Sequence, residues 1–352
     1  MNSSDIAKLA GVSRSTVSRV LNNYGDISDK TRQKVEAVIK EYNYVPNSFG
    51  QGLVGKPNRI IGLFIVDIDN KSEDNLILSR SEVFYNFIAY ASDIAHNLNY
   101  NILISIIDPE HMDNIQKLFI NKSICGGLII GDTYDQEIID SLGRQNYKIA
   151  LHNQREHSDI PNIINVNVDN VTFAHIATLE LLKNGHKKIG LITGSLHKYT
   201  VQKRYEGFLQ ALSEYGLEFD PTYIGIGDFH RESGGYDAVK QLLGKCGSSL
   251  PTALLISNSV MLPGALQALK EAGLKIPEDI SVIGVGGSAY SAYTDPPITD
   301  LVIDSQLIAS AMISKMTELL DMKKLQDNNI LLTQYELISR QSIKDISGKV
   351  TN

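Results

Sequence analysis

Cysteine is scarce in this sequence. The chain has 352 residues and only two cysteines, Cys125 and Cys246, which lie far apart and outside any CxxC spacing. A disulfide framework or a cysteine-ligated zinc site needs more cysteines at closer spacing. The eight histidines show no metal-ligand spacing either, and we expect His152 and His157 to lie on a loop surface. The sequence therefore predicts two reduced structural thiols, no metal and no other cofactor.

Long apolar segments are also missing. The longest apolar runs, residues 60–66 and 125–130, are far shorter than the roughly 20 residues of a membrane-spanning helix. The chain starts with a polar segment and lacks the basic flank and long apolar core of a secretory signal. We therefore expect a cytoplasmic protein that does not enter a membrane.

Motifs of common enzyme classes are absent as well. The sequence contains no GxSxG nucleophile motif and no HExxH zinc motif, and GLVGK lacks the GxxxxGK[ST] spacing of a phosphate-binding loop. GVGGS and GIGDF lack the GxGxxG spacing of a nucleotide fingerprint, so we interpret both as turns. These absences favour a protein that is not an enzyme.

Charge is distributed unevenly along the chain. The net charge is −7, but residues 1–60 hold nine Lys/Arg against five Asp/Glu, and the remainder holds 24 against 35. A basic N-terminal module on an acidic body is typical of a protein that contacts phosphates with one end only. The charge pattern therefore indicates a nucleic-acid-binding module at the N-terminus.

The first 45 residues have the pattern of three short helices. The first helix is expected over residues 5–10, capped by one of the two serines before it and ended by Gly11, and Ser13 can cap the second, residues 14–21. Two helices joined by a short turn with Gly, the second rich in Arg, Ser and Thr, are the sequence form of a helix-turn-helix. A third helix, capped by Ser28, closes the module. The apolar residues expected inside are Ile6, Leu9, Ala10, Val17, Val20, Leu21, Val35, Val38 and Ile39.

DIAKLAGVSRSTVSRVLN and SDKTRQKVEAVIKEYNYVPN resemble the LacI/GalR family of bacterial repressors. The resemblance implies that residues 1–45 form a DNA-binding domain in which Arg14 and Ser15 read bases and Arg19 enters the major groove. Arginine can form two hydrogen bonds to guanine, whereas phosphate contacts position a protein without specifying a sequence. The other residues implied at the DNA are Ser13, Thr16, Ser18, Asn22, Ser28 and Thr31.

Residues 46–57 are predicted to form a linker. Pro46 disfavours helix at the residue before it, so the third helix should end there. In the family this segment becomes a short helix only on DNA, and a leucine from each subunit enters the minor groove. Leu53 stands at the matching position, and Asn47 is a further candidate DNA contact. Gly50 and Gly52 should weaken this helix, because glycine disfavours helical structure. We therefore expect DNA and a partner subunit to stabilise it.

From residue 58 onward, strand-like and helix-like segments alternate. One series contains IIGLFIV, NILISII, GGLIIG and KIALH, and a second contains IINVNV, KIGLIT, TALLISN and DISVIGV. Such alternation predicts α/β lobes in which helices cover both faces of a parallel sheet. Two doubly wound lobes place a ligand in the cleft at the carboxyl ends of their strands.

This region resembles the periplasmic-binding-protein-like core of the same family, on the motifs NVNVDN, NGHKKIGLITG, KRYEGFLQAL and DPPITDLVID. The resemblance implies an effector-binding body at residues 58–345, in which the chain crosses between the lobes three times. The lobes are expected at about 58–157 plus 304–329 and at 158–303 plus 330–345. Residues 346–352 form a short tail.

An arginine and two asparagines of the body are candidate effector contacts. Arg204 matches the family's effector-binding arginine, whose planar guanidinium can donate to hydroxyls or carboxylates. Asn153 and Asn258 directly follow strands, where the family often places ligand-contacting Asp or Asn.

A pair of carboxylates is missing from the expected cleft. Where relatives commonly have two aspartates after a strand, this chain has Gly286 and Gly287, which disfavours a simple neutral sugar as ligand because its hydroxyls would lack acceptors. Asp67 and Asp69, after the first strand, are candidate replacements.

The sequence as a whole predicts a homodimeric, sequence-specific transcription regulator. It would repress transcription from a two-fold symmetric operator until a sugar, sugar derivative or related metabolite changes the geometry of the cleft. A corepressor, which would strengthen DNA binding, is equally compatible with the sequence. The alternative class is a cytoplasmic solute-binding or sugar-modifying protein that uses the same body.

Overall fold

The chain divides into two compact units, Met1–Asn58 and Arg59–Asn352. The computed structural model describes residues 1–21, 24–44, 58–66, 82–131, 136–247, 249–322, 325 and 327–348. Asn22, Asn47, Leu53, Asp67 and Asp69 lie outside the described residues, so their expected roles stay predictions. No helix within the described ranges has the length and apolar character that crossing a membrane requires.

The first unit contains the three expected helices, α1 (Ser3–Ala10), α2 (Arg14–Leu21) and α3 (Asp29–Glu41). Their core consists of Ile6, Ala7, Ala10, Val17, Val20 and Val35, and Leu21, Val38 and Ile39 pack against it half-buried. The prediction that Leu9 joins this core is wrong, because 47% of its surface is exposed. The small core of this unit covers Ile6, Ala7 and Ala10 but not the part of α1 on which Leu9 lies.

Local capping chemistry sets the helix boundaries of this unit. Asn2, and not either serine, caps α1, because its side chain accepts from the backbone N–H groups of Ser4 and Asp5. Gly11 ends α1 at φ 60°, a left-handed conformation that glycine adopts without strain. Ser13 Oγ accepts from Thr16 N at 3.1 Å, which confirms the predicted cap of α2.

The second unit alternates strands and helices along the chain. Its strands are β1 (Ile60–Val66), β2 (Asn101–Ile107), β3 (Gly126–Gly131), β4 (Ile149–His152), β5 (Ile163–Val168), β6 (Ile189–Thr193), β7 (Ile224–Ile226), β8 (Ala253–Ile256), β9 (Ser281–Val285), β10 (Thr299–Val302), β11 (Asn329–Leu332) and β12 (Glu336–Ile338). Its helices are α4 (Glu82–Asn97), α5 (Asp113–Ile120), α6 (Gln136–Arg144), α7 (Asn170–Lys183), α8 (Tyr199–Glu214), α9 (Glu232–Cys246), α10 (Leu262–Glu271) and α11 (Ser305–Met322).

Two six-stranded sheets form two lobes. The first sheet has the order β11-β5-β4-β3-β1-β2 and is parallel throughout. The second has the order β12-β10-β9-β8-β6-β7 and is parallel except for the edge strand β12. The predicted fold class, a helix-turn-helix domain followed by two doubly wound α/β lobes, is confirmed.

The chain passes between the lobes three times, after β5, after β10 and after β11. The segment IINVNV was predicted to lie in the second lobe, and this is wrong, because it forms β5 and pairs with β4 in the first sheet. Strand β11 likewise pairs with β5, so residues 330–332 belong to the first lobe and not to the second. Both strands are largely apolar, and an apolar run predicts a strand without predicting which sheet it joins.

Two elements of the second lobe have no counterpart in the sequence-based prediction. The helix Glu232–Cys246 was not predicted, and GIGDF, interpreted as a turn, contains the end of the strand Ile224–Ile226. Two glycines early in this helix explain the omission. A Cβ on Gly235 would lie 1.9 Å from the Met261 carbonyl oxygen, so the glycine allows close helix packing and does not break the helix.

Both cysteines are free thiols within the described structure. Burial raises the pKa of the Cys125 thiol to about 11, and the thiol donates to the Ile60 carbonyl oxygen at 3.2 Å. Because the thiolate is the reactive form, Cys125 is expected to be chemically inert at neutral pH.

Candidate functional site

Close contact between two helices of the second lobe positions Arg204. Gly207 lies one turn after Arg204 on α8, and a Cβ there would lie only 2.0 Å from the Val171 carbonyl oxygen of α7. The missing side chain therefore lets α7 and α8 approach each other. This approach brings Arg204 within hydrogen-bonding distance of Asn170, the first residue of α7.

Arg204 is a buried cation with two of its nitrogens bonded to protein groups. Only 8% of its surface is exposed; Nε donates to Asn170 Oδ1 at 2.9 Å and Nη1 donates to the Ser257 carbonyl oxygen. The guanidinium carbon lies 5.2 Å from the ring centroid of Phe173 and 5.9 Å from that of Phe229. Burial lowers the pKa of Arg204 to about 10, so the side chain remains charged at neutral pH.

Aromatic side chains extend from Arg204 to the other lobe. The rings of Phe229 and His230 meet edge to face at 5.3 Å, and His230 lies nearly parallel to Phe84 of α4 at 6.3 Å. Phe84 belongs to the first lobe and His230 to the second. The second lobe thus holds a cation among several aromatic rings, and one of these rings contacts the first lobe directly.

Asn258 lies next to Arg204 and Phe229, but its side-chain amide forms hydrogen bonds within the protein. Its Nδ2 donates to the Phe229 carbonyl oxygen at 2.6 Å, and its Oδ1 accepts from Val260 N at 3.3 Å. It follows β8 directly after Ser257, whose carbonyl accepts from Arg204. Asn258 therefore fixes the segment that carries Phe229.

Asn153 occupies the carboxyl end of β4 in the first lobe. It has φ 52°, and its backbone N–H donates to Asn167 Oδ1 at 3.1 Å while its own Oδ1 accepts from Val168 N at 2.9 Å. These two bonds tie the end of β4 to the end of β5, close to the first crossing between the lobes.

His152 was expected on a loop surface, and that prediction is wrong. It is the last residue of β4, and its Nδ1 lies 2.8 Å from the Val166 carbonyl oxygen. A carbonyl only accepts hydrogen bonds, so Nδ1 carries the hydrogen and Nε2 is an acceptor. Burial, together with the charge of Arg204, lowers the pKa of His152 to about 4, so the ring is neutral at pH 7.

The two glycines after β9 have backbone conformations that favour glycine. Gly286 and Gly287 have φ values of 126° and 77°, which side-chain-bearing residues rarely adopt. Two carboxylates nevertheless reach this segment from elsewhere. They are Asp300 on β10, whose Oδ2 accepts from Ser288 N at 3.1 Å, and Glu82 on α4, whose Oε2 accepts from Ser288 Oγ at 3.0 Å.

The first unit presents its polar face on α2. Arg14, Ser15 and Arg19 are exposed, whereas Thr16 and Ser18 are half-buried. Arg14 Nε donates to Ser3 Oγ at 3.1 Å, and Arg19 forms an exposed ion pair with Asp26 at 3.0 Å. An ion pair so exposed is weak, so the Arg19 guanidinium can be redirected to nucleic acid at little cost.

The remaining predicted DNA contacts of this unit lie at helix starts or along α2. The Ser13 hydroxyl lies 2.6 Å from Ser15 Oγ and 2.8 Å from Thr16 Oγ1, and Ser28 Oγ caps α3 by accepting from Thr31 N. Helix starts carry unsatisfied backbone N–H groups that bind phosphate oxygens. Ser18 lies half-buried on α2 between Val17 and Arg19.

Comparison with known families matches both units. Residues 4–47 match the family model "Bacterial regulatory proteins, lacI family", and residues 178–343 match "Periplasmic binding protein-like domain". The first match covers the three helices of the first unit. The second match begins within α7 and ends beyond β12.

Individual relatives match nearly the whole chain. The HTH-type transcriptional repressor PurR of Haemophilus influenzae is 31% identical over 356 residues, covering 97% of this chain and 98% of the relative. PurR of Pasteurella multocida is 29% identical over 346 residues with the same coverage. Among solved structures, the lac repressor dimer bound to operator and the anti-inducer ONPF has a TM-score of 0.81 at 25% identity, covering 98% of this chain and 99% of that one. The chain therefore belongs to the LacI family of bacterial regulatory proteins and is a DNA-binding transcriptional repressor regulated by a small-molecule effector.

Proposed function

We propose that the effector of this repressor binds in the cleft between the two lobes and is anchored by Arg204. The observation that carries this proposal is a buried guanidinium at the carboxyl edge of the second sheet, fixed through Nε and Nη1. Its Nη2 makes no hydrogen bond to any described residue. A buried cation with a remaining donor selects a ligand with an acceptor oxygen or a negative charge.

The other groups of the cleft narrow the chemistry of the effector. The rings of Phe84, Phe229 and His230 offer apolar faces to a flat ring or to the apolar face of a sugar. The neutral His152 supplies an acceptor for a hydroxyl or N–H donor. These groups together favour a small, ring-containing metabolite that carries a carboxylate, phosphate or carbonyl oxygen, such as a sugar derivative.

For the DNA-binding unit, we propose that Arg14, Ser15 and Arg19 read base edges in the major groove. Their exposure on one side of α2 supports this role. Ser13, Thr16, Ser18, Ser28 and Thr31 would position phosphates, and Asn22, Asn47 and Leu53 keep the roles implied by the family resemblance. This division assigns sequence specificity to the arginines and general affinity to the hydroxyl residues.

Exposed apolar surface supports a homodimer. Strand β2 lies at the edge of the first sheet with Leu103 and Ile104 exposed, and on the second lobe Tyr293 is 86% exposed. An edge strand with apolar side chains is a surface that soluble proteins normally cover. A two-fold dimer would bury this surface and place two α2 helices on a symmetric operator.

We further propose a cytoplasmic, non-enzymatic protein with the domain boundaries expected from sequence, residues 1–45, 46–57 and 58–345. The separation of the chain into compact units at residue 58 supports these boundaries. The repressor names of the relatives support the absence of catalysis and a location beside DNA.

The proposed function is tested first by selection from a library of random duplex DNA, followed by titration of the selected site at several salt concentrations. A two-fold symmetric site bound with a steep salt dependence is the expected result. A metabolite panel is then titrated into the complex of wild type and of Arg204→Gln. Failure to select any site, with or without the panel, would contradict operator binding, and an unchanged metabolite response in Arg204→Gln would contradict the proposed anchor.

A further inference from the structure

We infer that Glu82 is a latch between the two lobes: its carboxylate holds the cleft closed, and release of the latch changes operator affinity. The inference rests on the proposed function only for its effect on DNA. The closing contact itself belongs to the effector-binding unit.

The latch consists of one oxygen and two donors from the opposite lobe. Glu82 is the first residue of α4 in the first lobe. Its Oε2 accepts from Ala289 N at 2.8 Å and from Ser288 Oγ at 3.0 Å, and both donors follow β9 of the second lobe. Hydrogen bonds to a charged acceptor are stronger than neutral ones, so this contact favours the closed arrangement.

The second lobe holds the receiving segment in place. Asp300 Oδ2 accepts from Ser288 N at 3.1 Å and from Ser291 Oγ at 2.9 Å. Asp300 is fully buried on β10, so it fixes the segment to its own sheet and not to the first lobe. Glu82 therefore meets a preformed pair of donors, and little chain ordering is lost when the contact forms.

A second contact between the lobes, from the same end of α4, also favours the closed arrangement. Phe84 lies two residues after Glu82 and stacks on His230 of the second lobe at a ring distance of 6.3 Å. Both contacts thus join the first turn of α4 to loops that follow strands of the second sheet. Neither includes a crossing segment, so both can break while the three connections between the lobes stay intact, as in hinge opening.

The position of the latch makes it part of effector recognition. Phe84 and His230 belong to the aromatic group next to Arg204, so a ligand in the cleft must either fit beneath the closed latch or separate its two sides. A ligand that fits would stabilise the closed state, and a ligand that is too large would stabilise the open one. The latch would thereby determine which metabolites act in which direction.

The test compares Glu82→Ala, Glu82→Gln and Ser288→Ala with wild type in the full-length protein. Asp93→Ala is the matched control, because Asp93 is an exposed carboxylate on the same helix, α4. Cleft opening is read by amide hydrogen exchange at the ends of β4 and β8. Operator affinity is read by titration of the selected DNA site, and thermal unfolding confirms that each variant is folded.

We expect Glu82→Ala to accelerate exchange at both strand ends and to change the operator dissociation constant by about tenfold, since two hydrogen bonds to a charged group are lost. Glu82→Gln, which keeps an acceptor oxygen without charge, and Ser288→Ala should give smaller changes, and Asp93→Ala none. Exchange in Glu82→Ala equal to that in Asp93→Ala would overturn the latch. Faster exchange with an unchanged operator constant would overturn its coupling to DNA. Failure of wild type to bind any selected site would instead contradict the proposed function. The hydrogen-exchange comparison would still test the latch.

Discussion

His152 should make the protein less stable in mild acid. In the unfolded chain this histidine has its ordinary pKa of 6.5, whereas burial lowers the pKa in the folded protein to about 4. Between these values the unfolded chain binds more protons, so the free energy of unfolding falls as the pH decreases. From pH 7.5 to pH 5 this one group should remove about 2 kcal/mol of stability, approaching about 3 kcal/mol below pH 4.

The variant His152→Asn separates this effect from others. The amide nitrogen of asparagine can donate to the Val166 carbonyl in place of Nδ1, yet the side chain does not titrate. His186, whose pKa is also lowered by burial, contributes acid sensitivity of the same sign in both proteins. The difference between the two pH profiles therefore isolates His152, whatever constant change in stability the substitution causes.

The assay is urea unfolding between pH 5 and pH 7.5 at one fixed protein concentration. Circular dichroism is the suitable signal, because the chain has no tryptophan. His111→Asn is the matched control, since His111 is exposed, and its profile should follow that of wild type. Parallel profiles for wild type and His152→Asn would refute the lowered pKa of His152.

Three further substitutions test the remaining parts of the site. Arg204→Lys should keep operator affinity but weaken the metabolite response at least tenfold in titration, because lysine lacks the planar fork; an unchanged response would exclude Arg204 as the anchor. Arg19→Ala should cost about 1–3 kcal/mol of operator binding and relax the preference at one base pair, measured by repeated selection, whereas a uniform loss at all positions would indicate a phosphate contact. Gly207→Ala should lower the free energy of unfolding by about 1–3 kcal/mol, because the new Cβ would meet the Val171 carbonyl. Its control, Gly244→Ala on α9, meets nothing within 4 Å and should be stabilising, and equal effects of the two would contradict the packing argument.

The helix-turn-helix could be predicted from sequence because its determinants are local. Ser13 and Ser28 cap the helices that follow them, and Gly11 ends α1, all through contacts within a few residues. The order of strands and helices in the body is local in the same sense. The exposed Leu9 shows the limit of this reasoning, because periodicity predicts a face but not how much of it a small core covers.

Features that depend on distant partners were missed or misplaced. His152 is neutral because burial and a guanidinium from the other lobe lower its pKa, and neither cause is visible in the spacing of histidines. The lobe of the strand Ile163–Val168 was misassigned because strand pairing is non-local. Arg204 was identified only through its family motif, since an isolated arginine on a helix is normally solvent-exposed.

The contacts around Arg204 connect the proposed effector site to the crossings between the lobes. Asn170, which accepts from Arg204, is the first residue of α7 directly after the first crossing. Phe173, one face of the Arg204 site, packs against Tyr335 at a ring distance of 5.1 Å. The Tyr335 hydroxyl lies 3.0 Å from the Asp169 carbonyl oxygen and 3.3 Å from that of Leu332, where the first and third crossings begin. An effector that draws Arg204 away from Asn170 would therefore change the packing of the segments that connect the lobes. No longer chain of contacts is then needed to couple effector binding to rotation of the lobes.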